Sequence, residues 1–226
     1  MPHGIAWVLA AGIIIAPAVE AQVCAGTPAF SAGRVRVGAG TAFGDTAKHY
    51  GVQLAGGATQ GPFGSATVST VHYHQVSQYD HVSGSGTAVA TSVGSSLNQG
   101  GSAQFCPLLG FRYQKANTDT RLGPGSSSAA AFSLGGSLGG IVKSEPGTDY
   151  ILFTSAALVL SHGSERFGDF SGSSNEHWIE ITAGVGVIMS RVLTLQPAVN
   201  LWSGGLGGGS SLSIAVAVNF GGASQR

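Results

Sequence analysis

The C-terminal part of the chain alternates, with a period of two, between apolar residues and small or polar ones. A β-strand directs successive side chains to opposite faces, so residues 212–220 predict a strand with one apolar and one polar face. In a water-soluble sandwich the apolar face points to the core, whereas in a membrane barrel it points to lipid. The apolar positions are Leu212, Ile214, Val216, Val218 and Phe220.

The same alternation upstream predicts ten strands in total, separated by segments rich in glycine, serine and proline. The strands are roughly 9–13 residues long, close to the ~9–11 residues that cross a bilayer at a tilt. Single-chain bacterial barrels have an even number of strands, and eight is the alternative count. The predicted strands are residues 32–43, 48–55, 66–76, a segment around 89–97, 104–114, 129–142, 150–161, 177–189, 192–201 and 212–220.

The connecting segments predict an outer and an inner end of such a barrel. Residues 115–127 and 161–175 are typical of long polar loops, and long loops lie outside in outer-membrane barrels. Pro197 lacks a backbone donor and predicts a β-bulge in its strand. Further loops are expected at residues 56–64 and 77–86, and short inner turns at residues 98–101, 144–149 and 190–191.

Composition and the N-terminus indicate where the chain is located. Residues 1–21 resemble a cleaved signal peptide, since the apolar run from Ile5 to Ile15 is too short to span a bilayer and Val19-Glu20-Ala21 has the small residues of a cleavage site. The formal net charge is zero and only 9% of residues are charged, which argues against nucleic-acid binding. After residue 21 no run of 18 apolar residues predicts a membrane helix. We therefore expect a periplasmic segment at residues 22–31, a barrel domain at 32–220 and a C-terminal tail at 221–226.

The two cysteines predict a disulfide, because an exported protein folds in an oxidising compartment. Cys24 precedes the first strand and Cys106 lies at the start of the fifth. In the ten-strand topology both positions fall at the periplasmic end of the barrel, so a bridge between them fits the predicted fold.

These features together resemble the small outer-membrane β-barrel proteins of bacteria with two membranes. The signal ending in Ala21, the ten alternating segments and the last strand closing on Phe220 carry the resemblance. It implies a closed up-and-down transmembrane barrel in the outer membrane, surrounded by outer-membrane lipids. It also implies that the barrel-insertion machinery recognises the last strand. A secreted soluble β-sandwich or adhesin is the alternative fold, but its outer face would carry more charge than these glycine- and serine-rich faces do.

His162 and Ser164, with Glu176 and Glu180 nearby, are the candidate catalytic residues. A histidine that activates a serine and is oriented by a carboxylate performs acyl transfer. The arrangement resembles the His-x-Ser plus Glu set of outer-membrane lipid A deacylases, and it implies a barrel-embedded lipid hydrolase as an alternative function. A polar surface loop rich in serine and glycine explains the same residues without any activity.

His49, His72 and His74 are the candidate metal ligands, because the predicted alternation directs all three toward the lumen. Imidazoles grouped in this way bind Zn or Cu, but no carboxylate or cysteine completes a ligand set here. We therefore expect no cofactor, and lumen hydrogen bonding for these histidines. Inside the barrel, Glu180 is expected to pair with arginine, the candidates being Arg34, Arg36 and Arg112. The interfacial aromatic girdles are expected to contain Phe111, Tyr113, Tyr150, Trp178 and Trp202.

The function that this pattern favours is an outer-membrane barrel of structural or surface-interaction type. Barrels of eight to ten strands have lumens mostly filled by side chains, so a wide pore is not expected. The sequence does not indicate which surface partner such a barrel binds.

Overall fold

The computed structural model describes residues 34–44, 47–57, 61–76, 81–97, 103–120, 123–190, 192–204 and 207–220. These residues form ten antiparallel strands in up-and-down order, and β1 pairs with β10 to close a barrel. The predicted ten-stranded barrel is thus confirmed, and the soluble sandwich is wrong. The strands are β1 (Arg34–Gly44), β2 (Ala47–Gly57), β3 (Gly61–Val76), β4 (His81–Ser96), β5 (Ala103–Thr120), β6 (Gly123–Glu145), β7 (Thr148–Phe167), β8 (Phe170–Met189), β9 (Leu193–Gly204) and β10 (Gly207–Phe220).

The outside of the barrel is apolar and the inside is small and polar. Phe132 and Leu134 on β6 are 63% and 62% exposed, and every other strand also directs large apolar side chains outward. Water-soluble proteins rarely expose apolar surface on this scale, so the outer surface faces lipid. On β10 the apolar residues are exposed or half-buried, while the residues between them are buried. The apolar face of the last strand therefore points outward.

Four strands are longer than their apolar pattern predicts. β5, β6, β7 and β8 run as paired ladders through residues 115–120, 123–127, 161–167 and 170–175. The prediction of long loops there is wrong, because these residues extend past the lipid-facing apolar side chains. Beyond lipid, water contacts both faces of a sheet, so the apolar alternation that marks a strand disappears. The predicted loops at residues 56–64 and 77–86 are likewise shorter, since β2 ends at Gly57 and β4 begins at His81.

Pro197 lies within β9 without the bulge that we expected. β9 and β8 keep one register on both sides of it, and only the ladder beside Pro197 is interrupted. The missing proline donor thus removes pairing locally without inserting a residue. A register shift occurs instead on β6, between Ile141 and Lys143.

The predicted signal peptide, the segment 22–31 with Cys24, and the tail 221–226 lie outside the described residues. Cys106 is described: it is fully buried and packs in a cluster with Ala55 and Phe63 near the inner end. The pairing of Cys24 with Cys106 therefore stays a prediction. Across the described ranges, we find no helix with the length and hydropathy that a membrane crossing requires.

Candidate functional site at the outer end of the barrel

At the outer end, residues 83–88 of β4 pair with residues 114–119 of β5, and strands β5 to β8 continue together there as a sheet. We call this the outer sheet; it comprises residues 114–120, 123–130, 161–167 and 170–177, beyond the lipid-facing Tyr113, Phe132, Leu160 and Ile179. The β7–β8 hairpin closes on the pair Phe167 and Phe170. Gly168, at the first position of the two-residue turn, has φ of 53°. Hairpin turns need positive φ there, which glycine adopts without strain.

His162, Ser164 and Arg166 lie on the outward face of this hairpin. The Nδ1 atom of His162 is 2.8 Å from Oδ1 of Asn175 on β8. The hydroxyl of Ser164 is 2.9 Å from the hydroxyl of Ser128 on β6. Both candidate catalytic residues are therefore engaged by neighbouring strands, and no hydrogen bond joins them in the described structure.

Glu165 and Glu176 lie on the opposite, inward face of the same hairpin. Burial raises the pKa of the Glu165 carboxyl, and burial together with the neighbouring Glu165 charge raises the pKa of Glu176. Neither carboxylate forms a salt bridge to a described residue. Two carboxylates that share one face without a cation nearby leave a local excess of negative charge.

Glu180 lies deeper, inside the barrel, and is 3.8 Å from the guanidinium of Arg112. Arg112 is thus the expected arginine partner of Glu180, whereas Arg36 donates to Gln196 instead. A nucleophile, its base and an orienting carboxylate must form a hydrogen-bonded chain for acyl transfer. Because Glu176 and Glu180 face away from His162 and Ser164, the described structure does not bring these four residues together.

The three candidate metal ligands do not share the lumen. His49 is inward and buried, whereas His72 is outward, with its ring 6.3 Å from that of Tyr50. The prediction that all three face the lumen is wrong for His72, because Val71 and Tyr73 occupy the inward positions of β3. The side chain of His74 lies outside what the structure describes. No group of three metal-ligating side chains occurs among the described residues.

The lumen narrows below the outer sheet. Trp178 is buried among Ala131 and Val159, with Trp202 packed against them. Of the aromatic residues expected in the girdles, Phe111 and Tyr113 do face outward, whereas the expectation is wrong for Trp178 and Trp202, whose side chains point inward. Beneath them, beside Arg112 and Glu180, is a cavity of about 50 Å³. Such a cavity holds a few water molecules.

Polar side chains fill the remaining depth of the barrel. Asn200 accepts a hydrogen bond from Thr182 at 2.9 Å and donates to Ser211 and Ser213 at 3.2 Å each. Further toward the inner end Arg36 donates to Gln196, and Asn219 donates to Thr194 at 3.0 Å. These contacts connect β8, β9 and β10 with one another, and β1 with β9, along the inner wall of the barrel.

The most unusual feature of the outer sheet is one that our sequence reasoning missed. β9 ends at Gly204, opposite Trp178, so residues 170–177 of β8 pair with β7 alone in the described structure. We call this segment the β8 edge. The residues Phe167-Gly168-Asp169-Phe170 carry a two-residue turn beginning with glycine, a signal that could have revealed the β7–β8 hairpin but not its unpaired edge.

No protein-family model matches the chain, and no curated protein matches its sequence. Among solved structures, the translocator domain of the autotransporter NalP from Neisseria meningitidis is similar at a TM-score of 0.50 and 11% identity, covering 82% of this chain and 88% of that one. The outer membrane protease OmpT from Escherichia coli gives 0.49 and 7%, covering 83% and 94%. The N-terminal barrel domain of OprF from Pseudomonas aeruginosa gives 0.40 and 15%, covering 83% and 99%. At such identities the likeness concerns the barrel fold alone. Fold and apolar outer surface together make this chain an outer-membrane β-barrel.

Proposed function

We propose that this protein acts at the cell surface through its outer sheet, as a barrel of structural or surface-interaction type with a closed lumen. The observation that carries the proposal is the projection of β5 to β8 past the lipid-facing surface, while β9 and β10 end lower. The eight residues of the β8 edge rise about 20 Å, given ~3.3 Å per residue and a strand tilt near 40°.

The interior supports a surface role over transport. The aromatic layer at Trp178, the pair of Arg112 and Glu180 and the network around Asn200 occupy successive depths. A solute pore needs a continuous water path, and larger barrels than this one provide it. We therefore expect no steady conductance.

The proposed partners follow from the same surfaces. The apolar outer face contacts outer-membrane lipids. The last strand, ending at Phe220, is the segment that we propose the barrel-insertion machinery recognises. The hydrolase alternative is not proposed, because Ser164 bonds to Ser128 and His162 to Asn175.

Two measurements test the proposal. In planar bilayers the purified barrel should show no stable ohmic conductance steps, and sustained large conductance steps would overturn the closed lumen.

In the second experiment, on cells, residues 162–175 are replaced by a two-residue Asn-Gly turn that closes β7 on β8 at Ser161 and Glu176. Surface attachment and aggregation should fall, while heat-modifiable gel migration shows that the barrel still folds. Unchanged attachment and aggregation would contradict a surface role for the outer sheet.

A further inference from the structure

The β8 edge presents unused backbone groups in a regular order. Phe167 and Phe170 close a two-residue turn and so form a hydrogen-bonded pair, and such pairs alternate along an antiparallel ladder. Residues 170, 172, 174 and 176 therefore bond to β7. The N–H and C=O groups that point to the free side belong to Ser171, Ser173, Asn175 and His177.

The β8 edge carries one of the features that usually protect an exposed strand, the inward-facing charge of Glu176, and lacks the others. Natural edge strands are blocked by lysine, proline, bulges or very short length. Residues 170–177 contain neither lysine nor proline, and the β7–β8 register is constant without a bulge. The side chains of residues 170–175 are all exposed. They are also small, except for that of Phe170 at the tip, which is 82% exposed.

Among the described residues, no strand pairs with this edge above the end of β9. The outer ends of β9 and β10 beneath it are built from Gly204, Gly207, Gly208 and Gly209. Glycines place no side chains in the way of an incoming backbone. An added strand would continue the outer sheet in the position that a longer β9 would have occupied.

A second copy in the same membrane does not fit this edge. Identical edges form an antiparallel ladder under a two-fold axis perpendicular to the strands, which would turn one copy upside down in the membrane. A two-fold axis along the membrane normal would instead place the two edges parallel, with each N–H opposite the same N–H of the other copy. A parallel ladder needs a stagger of one residue between the strands, so the hydrogen bonds could not form. Among partners in the same membrane, a segment of a different protein is therefore the occupant that fits this edge.

The charge of the inward face indicates the chemistry of that segment. Glu176 lies on the β8 edge itself, and Glu165 lies across the hairpin on the same face without a cationic partner among the described residues. A lysine or arginine on an incoming strand, placed beside Glu176, would neutralise this charge.

We propose that the β8 edge binds an extended segment of a partner protein as an added antiparallel strand, with a basic residue of the segment beside Glu176 and Glu165. This proposal rests on the surface role proposed above and specifies its partner. Backbone hydrogen bonds provide the affinity, as in other cases of strand addition, and the basic residue provides selectivity.

The test uses the whole barrel in lipid nanodiscs and two fluorescein-labelled octapeptides of alternating threonine and valine. The two peptides differ at a single position, near the end of the peptide that would lie beside Glu176. There a threonine is replaced by lysine in one peptide and by glutamate in the other. Fluorescence anisotropy should show binding of the lysine peptide, at least tenfold weaker binding of the glutamate peptide, and several-fold weaker lysine-peptide binding to Glu176→Gln.

Backbone pairing is tested at Ser173, whose N–H faces the free side. Ser173→Pro removes that donor without touching the β7 ladder and should weaken lysine-peptide binding at least tenfold, whereas Ser173→Ala should bind as the parent does. Equal binding by Ser173→Pro, or no binding of either peptide to the parent, would overturn the edge proposal. If the hairpin replacement still abolishes attachment in that case, the surface role stands and only the strand addition fails.

Discussion

Replacing Asn200 by alanine should destabilise the barrel far more than the same change at an exposed asparagine. Asn200 is fully buried and holds three hydroxyl groups, those of Thr182, Ser211 and Ser213. Ser213 keeps a second bond to the carbonyl of Ala198 at 3.3 Å, so Asn200→Ala leaves two hydroxyls without a partner. Each unsatisfied buried polar group costs about 1 kcal/mol or more, which predicts a loss of about 2–3 kcal/mol.

The assay is reversible urea unfolding of the barrel in lipid vesicles, followed by tryptophan fluorescence. Trp178 and Trp202 both lie in the interior and are the only tryptophans after the predicted signal peptide. The matched control is Asn175→Ala, which removes one exposed bond to His162 and should cost less than about 1 kcal/mol. Equal losses in the two variants would refute the reasoning that the interior network holds the barrel together.

Three further predictions concern the interior and the cysteines. Arg112→Met leaves Glu180 without its cation and should lower the unfolding free energy by about 3 kcal/mol. The double variant Arg112→Met with Glu180→Leu should recover most of this loss, and a double variant as unstable as the single one would count against the Arg112–Glu180 pair. Gly135→Ala should lower the unfolding free energy by about 1–3 kcal/mol, because the new Cβ would overlap the carbonyl oxygen of Ala156. Gly186→Ala is the control and should cost little, since a Cβ there meets its nearest atom at 3.5 Å. Equal losses for the two variants in the same unfolding assay would contradict this prediction. The denatured exported chain should react with a thiol-alkylating reagent only after reduction, as a Cys24–Cys106 disulfide requires, and labelling without reductant would exclude the bridge.

The barrel could be predicted from the sequence because lipid imposes a strict alternation. On β1, β2, β5 and β6 the apolar residues predicted to share a face do share the outward face. Val52 on β2 and Leu109 on β5, for example, are 59% and 56% exposed. β7 is apolar on both faces and could not be oriented, since Ile151 and Phe153 fill the interior while Leu152 faces lipid.

The outer sheet could not be predicted in this way. Beyond the membrane Val71 and Tyr73 turn inward and His72 outward, which reverses the rule that holds within lipid. In residues 161–175 both faces are polar, so the strands there were mistaken for a loop. Identifying the β8 edge also required knowing that β9 ends at Gly204, and this depends on pairing between strands rather than on any local pattern.

The orientation of β10 tests the central claim most directly. Nitroxide labels are placed one at a time at residues 212–217, in a variant with both cysteines replaced by serine, and collision with oxygen is measured in lipid vesicles. Oxygen concentrates in lipid, so high accessibility is expected at Leu212, Ile214 and Val216, and low accessibility at Ser213, Ala215 and Ala217. The opposite alternation, or none, would contradict a barrel whose apolar face meets the membrane.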